Sequence, residues 1–541
     1  MSHPATSRAV RSLLLGALAT GCAVGESVSA SSAPAAAPES GVRFVVNSAA
    51  SRHPISPYIY GVNQFDWGGR SRHLKLGRLG GNRFTAYNWE NNASNGGSDY
   101  NHQNDDNLGG GDTPGEAVRM HVAAAQKAGA SMIVTVPIAG YVAADKDNDG
   151  DVNKTPDYLH KRFLESKPAK NAPFQFPPDR KDRVVYQDEF VAWLEKSSPD
   201  ARRDPERTLF YSLDNEPDLW TQTHPRLRPQ GKVTYAELLE RTVAYASGIK
   251  NAAPEALVFG PVSYGWTGFN SLQDAADASG RNFLDFYLDS LREAETRAHR
   301  RLVDVLDLHW YPEARGGGAR VIEDNDGPRV AAARVQAPRS LWDPSYVETS
   351  WISQDARAGA IRLIPRMKEK IAAHYPGTRL AITEYNFGGG GHISGALAQA
   401  DALGVFGREG VFAAAMWSMN AGTRFLDPAF AAFTDYDGSG GRFGNTSVEA
   451  SSSDDAKTSI YASVDEGRED RMVLVAVNKT AEVLPAELQV SHAAELSRGQ
   501  SWQLTAAQPS LQRGPELKTT GRNAFTVALP AMSVVAVVLT K

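Results

Sequence analysis

From about residue 55 the chain alternates short apolar runs with longer stretches in which apolar residues recur every three or four positions. That alternation predicts strands joined by amphipathic helices, the pattern of an α/β fold with a parallel sheet. Eight strands are expected, at 59–65, 75–80, 131–138, 209–214, 256–262, 305–309, 380–384 and 413–419. The clearest helices fall at 115–130, 234–252, 283–301, 361–374 and 395–410. In the second of these, Leu238, Val243, Ala246 and Ile249 sit at helical spacing, with Glu237, Glu240 and Arg241 between them. Eight strands with intervening helices predict a closed (β/α)8 TIM-like barrel. The handedness of parallel crossovers leaves few other topologies.

After Asn420 the pattern changes. Short runs rich in Val and Leu at 461–464, 472–478, 487–490, 501–504 and 525–539 show little helical periodicity. They predict an accessory all-β sandwich domain built from antiparallel strands. Val42–Asn47 precedes the barrel and suits a further strand of that sandwich. The expected division is 42–54 for the N-terminal strand of the sandwich, 55–435 for a catalytic barrel and 436–541 for the rest of the sandwich.

Two of the predicted strands end in a way that buried strands should not. The run Leu209–Trp220 reads LFYSLDNEPDLW and the run Leu380–Gly388 reads LAITEYNFG. Strands buried on both faces are continuously apolar, so Glu216 and Glu384 stand out at their exits. Active sites of β/α barrels are built at the carboxyl ends of the strands. Two carboxylic acids meeting there are the minimum apparatus for cleaving a glycosidic bond. Only the fold can bring these two together.

Composition narrows the reading further. The 541 residues are 42% hydrophobic and 22% charged, enough for a barrel of about 250 residues or more and a second domain. A formal net charge of −5, without a long basic run, argues against nucleic acid or an anionic membrane as partner. Residues 1–24 resemble an export signal: Arg8 and Arg11 precede an apolar stretch at 13–24 that is too short for a stable membrane span. The single cysteine, Cys22, closes Leu18-Ala-Thr-Gly-Cys22, which resembles a bacterial lipoprotein processing box. The alternative is a signal peptide cut after Val28-Ser-Ala30. Residues 25–41, rich in Ala, Ser and Pro, read as a tether. Either way the protein is expected to be exported, extracellular or a cell-surface lipoprotein. Its only membrane contact would be the lipid anchor, it would work as a monomer, and its folded part would hold no disulfide.

Other residues suggest supporting roles. Asn215 precedes Glu216 and is suited to hydrogen-bond the sugar's 2-hydroxyl. Whichever glutamate serves as the acid needs a raised pKa, and at Glu216 Trp220 and nearby apolar groups offer desolvation. His309 and Tyr311 follow the sixth strand, where His309 suits a substrate or nucleophile contact and Tyr311 could donate to Glu384. Trp417, at the end of the eighth strand, suits a stacking floor for a pyranose, whose C–H faces aromatic rings bind. Asn82, after the double glycine Gly80-Gly81, and Trp89 are further substrate-binding candidates, and Trp67, Trp266, Trp310 and Trp351 could line a cleft. Asp145, Asp147, Asp149 and Asp151, with Gly150, match the first part of an EF-hand-type calcium loop, although Pro156 stands where the bidentate glutamate belongs. Such a calcium ion would be structural, and catalysis by two carboxylates would need no cofactor.

Four segments taken together carry a family resemblance: Leu79-Gly-Gly-Asn-Arg-Phe-Thr-Ala-Tyr-Asn-Trp89, Leu213-Asp-Asn-Glu-Pro-Asp-Leu-Trp220, Leu308-His-Trp-Tyr-Pro-Glu313 and Thr383-Glu-Tyr-Asn-Phe-Gly388. In this order they resemble glycoside hydrolase family 44, from about residue 42 to the C-terminus. The resemblance implies a β/α barrel with an attached sandwich and endo-acting cleavage of β-1,4-linked glucan or xyloglucan. It also implies retention, with Glu216 as acid/base and Glu384 as nucleophile. Two other readings stand beside it. One is a different barrel glycosidase, such as a xylanase, mannanase or arabinofuranosidase. The other is a non-catalytic surface polysaccharide-binding protein, against which the presence of both glutamates argues.

Overall fold

The computed structural model describes residues 41–355, 359–419 and 421–541. Cys22 and the expected signal and tether up to residue 40 lie outside the described residues. Eight parallel strands close into a barrel in the order Gly61–Val62, Leu76–Leu79, Ser131–Val136, Leu209–Leu213, Val258–Ser263, Val305–Trp310, Arg379–Tyr385 and Ala413–Met416. All eight expected strands are present, several of them shorter. The expected helices appear as Glu116–Lys127, Tyr235–Ala252, Phe283–Ala298, Leu363–His374 and Ile393–Arg408. Thr234 caps the second by accepting from Glu237 N, which satisfies one of the free N–H groups at a helix start.

The barrel interior is layered. Leu76, Ile133, Phe210, Phe259, Val305, Ala381 and Ala413 form an apolar plug near the amino ends of the strands. Side chains two residues further along a strand face the same way. On five of these strands that next layer is polar and fully buried: Arg78, Thr135, Ser212, Asp307 and Thr383. The barrel therefore changes from hydrocarbon to a dry polar layer over one step along the strands, just below the mouth.

The second domain wraps eleven strands, the two-residue His53–Pro54 among them, into one twisted sheet system. Thr446–Ser452 joins its two layers, pairing with Thr458–Val464 through Thr446–Val448 and with Val42–Asn47 through Glu449–Ser452. Val42–Asn47 is a sandwich strand, but it runs parallel to Leu484–Ser491, so the sandwich is not purely antiparallel. The apolar run 525–539 is two strands, Ala524–Leu529 and Ser533–Thr540, divided at Pro530. Gln508–Glu516 has no apolar face because it is an exposed edge strand. Helix Leu426–Thr434 follows the last barrel strand, within the 55–435 expected for the barrel, although it was not among the helices expected.

Helix Ile393–Arg408 lies between barrel and sandwich and is buried from Ile393 to Gly407. Gly404 lets the Tyr461 ring against it: a Cβ there would lie 2.2 Å from the ring. Tyr461 donates to Asp401 at 2.5 Å, and Lys479 pairs with the same carboxylate at 2.9 Å, both ions 1% exposed.

Candidate active site

The barrel mouth gathers side chains from strands that are distant in sequence. Glu216 follows the fourth barrel strand with its backbone in the left-handed region, φ 45° and ψ 60°. Its N–H is tied to Val262 O at 3.0 Å. Left-handed backbone costs an ordinary L-residue about 1–2 kcal/mol, and such strain collects at functional sites. Glu384 reaches the interior through a bulge. Leu308 lies opposite Ile382, but His309 lies opposite Glu384, leaving Thr383 as the extra residue. An inserted residue re-aims the side chains that follow it. Without the bulge, Glu384 would point into the surrounding helices and Tyr385 into the barrel.

The two glutamates meet through a histidine. One oxygen from each carboxylate and one ring nitrogen of His309 all lie within 4.8 Å of one another. His309 Nδ1 is 2.8 Å from Glu216 Oε1 and 3.5 Å from Glu384 Oε2. Its Nε2 is buried without a partner among the described residues. Nδ1 is therefore the ring nitrogen shared with the carboxylates, as donor or acceptor according to the tautomer. Tyr311 donates to Glu384 Oε2 at 2.9 Å, the contact expected of it. Glu384 Oε1 accepts from Arg78 at 2.7 Å, and Arg78 also reaches Asn63 Oδ1 at 3.1 Å and Asn215 Oδ1 at 2.8 Å. Both oxygens of Glu384 are thus held, which fixes the plane of its carboxyl group.

Burial separates the protonation of these groups. It pushes Glu216 up to about 7, opposed by the charge of Arg78 and aided by Asp99. Burial also pushes His309 down to about 3, with Glu384 opposing, so the imidazole is neutral. Tyr311 is raised well above the usual phenol range, first by burial and then by the two glutamates. Asp307, below the mouth, is pushed up to about 7 by burial while accepting from Thr383 Oγ1 at 2.9 Å. Two carboxylates and an imidazole at this spacing also have the donor set of a metal site. Arg78, already bound to Glu384, opposes a second cation there.

Not every expected residue reaches the site. Asn82 and Trp417 line a cleft of about 500 Å³ over the glutamates, with Trp266, Trp310, Tyr311 and Trp351. Gly81, at φ +82°, leaves room for the Trp417 ring, which a Cβ would approach to 2.7 Å. Asn215 is buried, and its side-chain nitrogen lies 3.4 Å from Asn82 Oδ1. Trp89 is a correction. It is fully buried and stacks on Phe190 with ring centroids 5.8 Å apart, so it belongs to the packing behind the mouth. Trp67 packs on Phe65 and does not line the cleft. Trp220 is buried with its Nε1 on Asp214 at 3.2 Å, and serves the turn around Glu216 through that carboxylate.

Sequence reasoning missed Arg78, Asn63 and Asp307. The signal for Arg78 was a lone charge in the buried run Leu76-Gly-Arg-Leu79, and Asp307 is a similar lone charge inside Val305–Trp310. In the acidic loop the structure puts an arginine among the aspartates. Arg162 is 2.8 Å from Asp145, 3.7 Å from Asp147 and 2.8 Å from Asp149, while Asp151 pairs with Arg226 at 2.7 Å. A calcium ion on these carboxylates would have to displace Arg162.

Comparison with known proteins places this geometry. The profile of glycoside hydrolase family 44 matches residues 93–314. Endoglucanase A of Paenibacillus lautus is 40% identical over 515 residues, covering 92% of this chain and 73% of that protein. Beta-mannanase/endoglucanase A of Caldicellulosiruptor saccharolyticus is 39% identical over 516 residues, covering 90% of this chain but 38% of that longer protein. The structure of a Paenibacillus polymyxa xyloglucanase from family 44, solved with xyloglucan, matches with a TM-score of 0.87 at 38% identity. That match covers 92% of this chain and 99% of the other.

Proposed function

The chain belongs to glycoside hydrolase family 44, and from that premise we propose that it cleaves internal β-1,4 linkages of glucan chains by double displacement with retention. The observation that carries the mechanism is the approach of Glu216 and Glu384, with one oxygen of each within 4.8 Å. Retaining glycosidases hold their carboxyl groups about 5–5.5 Å apart, whereas inverting ones leave about 6.5–9.5 Å for a water. Glu384, its plane fixed by Arg78 and Tyr311, attacks the anomeric carbon. Glu216, whose acid form persists to about pH 7, protonates the departing oxygen and then activates the water that releases the sugar. The left-handed turn at Glu216 and the bulge at Glu384 bring both carboxyl groups to His309 Nδ1.

Endo action is supported by the relatives' names, endoglucanase and xyloglucanase. A broader range that includes mannan or xylan is a second reading, favoured by the mannanase/endoglucanase relative and by a bifunctional glucanase-xylanase of the same fold at 30% identity. Reducing ends released from carboxymethylcellulose, xyloglucan, xylan and glucomannan, with product lengths, decide between them. Release of single sugars alone would remove the endo reading. The anomer formed first, followed by NMR, tests retention: a β product is expected, and an α product would overturn the double displacement.

We infer export from Arg8, Arg11 and the apolar stretch that follows, and surface anchoring through Cys22. Cys22→Ser should release the protein from the membrane fraction. Wild-type protein recovered in the medium with an N-terminus near Ser31 would remove the anchor.

A further inference from the structure

We propose that the groove where the barrel's flank meets the sandwich is a second binding site for the substrate's glucan chain, outside the catalytic cleft. The inference rests on the function proposed above, since it takes the same polymer as its ligand. The groove encloses about 740 Å³. Loop 69–74 and helix Leu426–Thr434 line it on the barrel side, and strands Arg498–Thr505 and Gln508–Glu516 on the sandwich side. At its centre half-buried Trp502 lies with its ring 4.8 Å from that of Tyr436, inclined by 47°. Planar polar groups surround the pair. Asp435 takes Arg72 at 3.4 Å and His73 at 2.8 Å, and Arg424 and Arg513 also face the groove.

An apolar ring flanked by guanidinium and carboxylate groups suits a neutral sugar chain: the ring covers C–H faces while the forked polar groups bind hydroxyls. Asp427, Asp435 and Asp437 nearly offset the four arginines of the same groove, which suits an uncharged ligand. Hydrogen bonds link the lining of the groove to that of the cleft. Arg70, at one end, donates to Thr423 Oγ1 at 3.0 Å and to Gln64 O at 3.3 Å. Gln64 Oε1 in turn accepts from Ser418 N at 2.8 Å, between the cleft-lining residues Trp417 and Met419. The proposed site thus lies next to the cleft but outside it, where an oligosaccharide confined to the cleft does not reach.

The test separates polymer from short substrate. In Glu384→Gln protein, which still binds but does not cleave, Trp502→Ala should weaken retention on xyloglucan and hydroxyethylcellulose affinity gels by roughly five- to tenfold, the loss of one stacked ring. Ser510→Lys, at an exposed groove position, should do the same by obstruction, and covers the case in which Trp502→Ala fails to fold. With Glu384 intact, both variants should keep the wild-type kcat/KM on cellotetraose. Unchanged retention in folded Trp502→Ala and in Ser510→Lys would overturn the proposal, as would equal losses on polymer and tetraose. Wild-type protein that hydrolyses no polysaccharide would instead remove the proposed function, while hydrolysis with unaltered retention in the variants removes the groove alone.

Discussion

Two buried polar clusters in this protein use the same ingredients to opposite ends. At the barrel mouth Arg78 and Tyr311 hold Glu384, with Glu216 and His309 alongside. Between barrel and sandwich, Lys479 and Tyr461 hold Asp401. Each has a fully buried cation, a phenol and a carboxylate. The junction is balanced, one cation against one anion. The mouth has two carboxylates for one cation, because burial keeps His309 neutral. Burial, the main cause of the raised pKa of Glu216, keeps a proton there, so only one of the two carboxylates needs the cation. A balanced cluster joins two domains, and an unbalanced one stores a proton for transfer.

The largest expected effects come from cutting the unbalanced cluster. Glu384→Gln should lower turnover of every substrate by on the order of 10⁵-fold, however good the leaving group. Glu216→Gln should cripple polysaccharide hydrolysis but largely spare glycosylation by aryl glycosides whose leaving groups need no proton. Azide should then restore turnover and give a β-glycosyl azide, whereas an α-azide from Glu384→Ala would mark Glu384 as the nucleophile. Aryl glycosides retained in Glu384→Gln and lost in Glu216→Gln would reverse the roles.

Cutting the balanced cluster should damage stability instead of chemistry. Asp401→Ala leaves Lys479 buried without its anion and should cost about 3–5 kcal/mol in denaturant unfolding, with kcat/KM unchanged below the transition. Asp401→Leu combined with Lys479→Met should recover most of that loss. If the double variant is no better than Asp401→Ala, or if either alters kcat/KM, the contrast between the clusters is wrong.

A smaller effect is read by pH. The acid form of Glu216 is needed, so kcat/KM should fall about tenfold per unit above pH 7, and this limb should vanish in Glu216→Gln assayed with activated aryl glycosides. Stability carries the same sign. A carboxyl raised in the folded state contributes most below its unfolded value of 4.5, and the contribution is lost as pH rises to about 7. Asp214, Asp218 and Asp307, raised by burial to about 6, 7 and 7, act in the same direction. His309 and His224, lowered by burial to about 3, act the other way up to about pH 6.5, so the check is the comparison with Glu216→Gln: a wild-type melting temperature that rose relative to that variant between pH 5 and pH 7 would contradict the shift at Glu216.

The smallest effect is expected at the acidic loop, where an arginine already supplies the counter-charge. Chelator should leave the melting temperature of the wild type unchanged, and Arg162→Ala should make it depend on added calcium. A chelator-sensitive wild type would show that a metal displaces Arg162.

The sequence revealed the elements better than their contents. The eight barrel strands were legible because each is a largely apolar run, and both glutamates because they stand at the exits of two such runs. Arg78 was not singled out, although its run of four residues is as buried as the others, because its partners Asn63, Asn215 and Glu384 come from three other places in the chain. Trp89 was assigned to the cleft because its loop follows a barrel strand, but the loop folds back and buries the ring against Phe190 and Trp193. Gln508–Glu516 gave no signal, since an exposed edge strand needs no apolar face.

The pairing of Val42–Asn47 has a consequence for how the chain acquires its structure. Phe44 lies opposite Ser452 and Val42 opposite Ala486, so this early strand finds its neighbours only after some four hundred later residues have been made. Until then it is an unpaired apolar edge, the kind of segment that recruits other chains. Contacts this remote are slow to form because a very long loop must close first. The barrel strands, whose neighbours mostly follow them directly, can assemble while the strand waits. The sandwich is then the last part to close. A polypeptide interrupted anywhere before residue 484 would leave Val42, Phe44 and Val46 without the strand they pair with, and so prone to association with other chains.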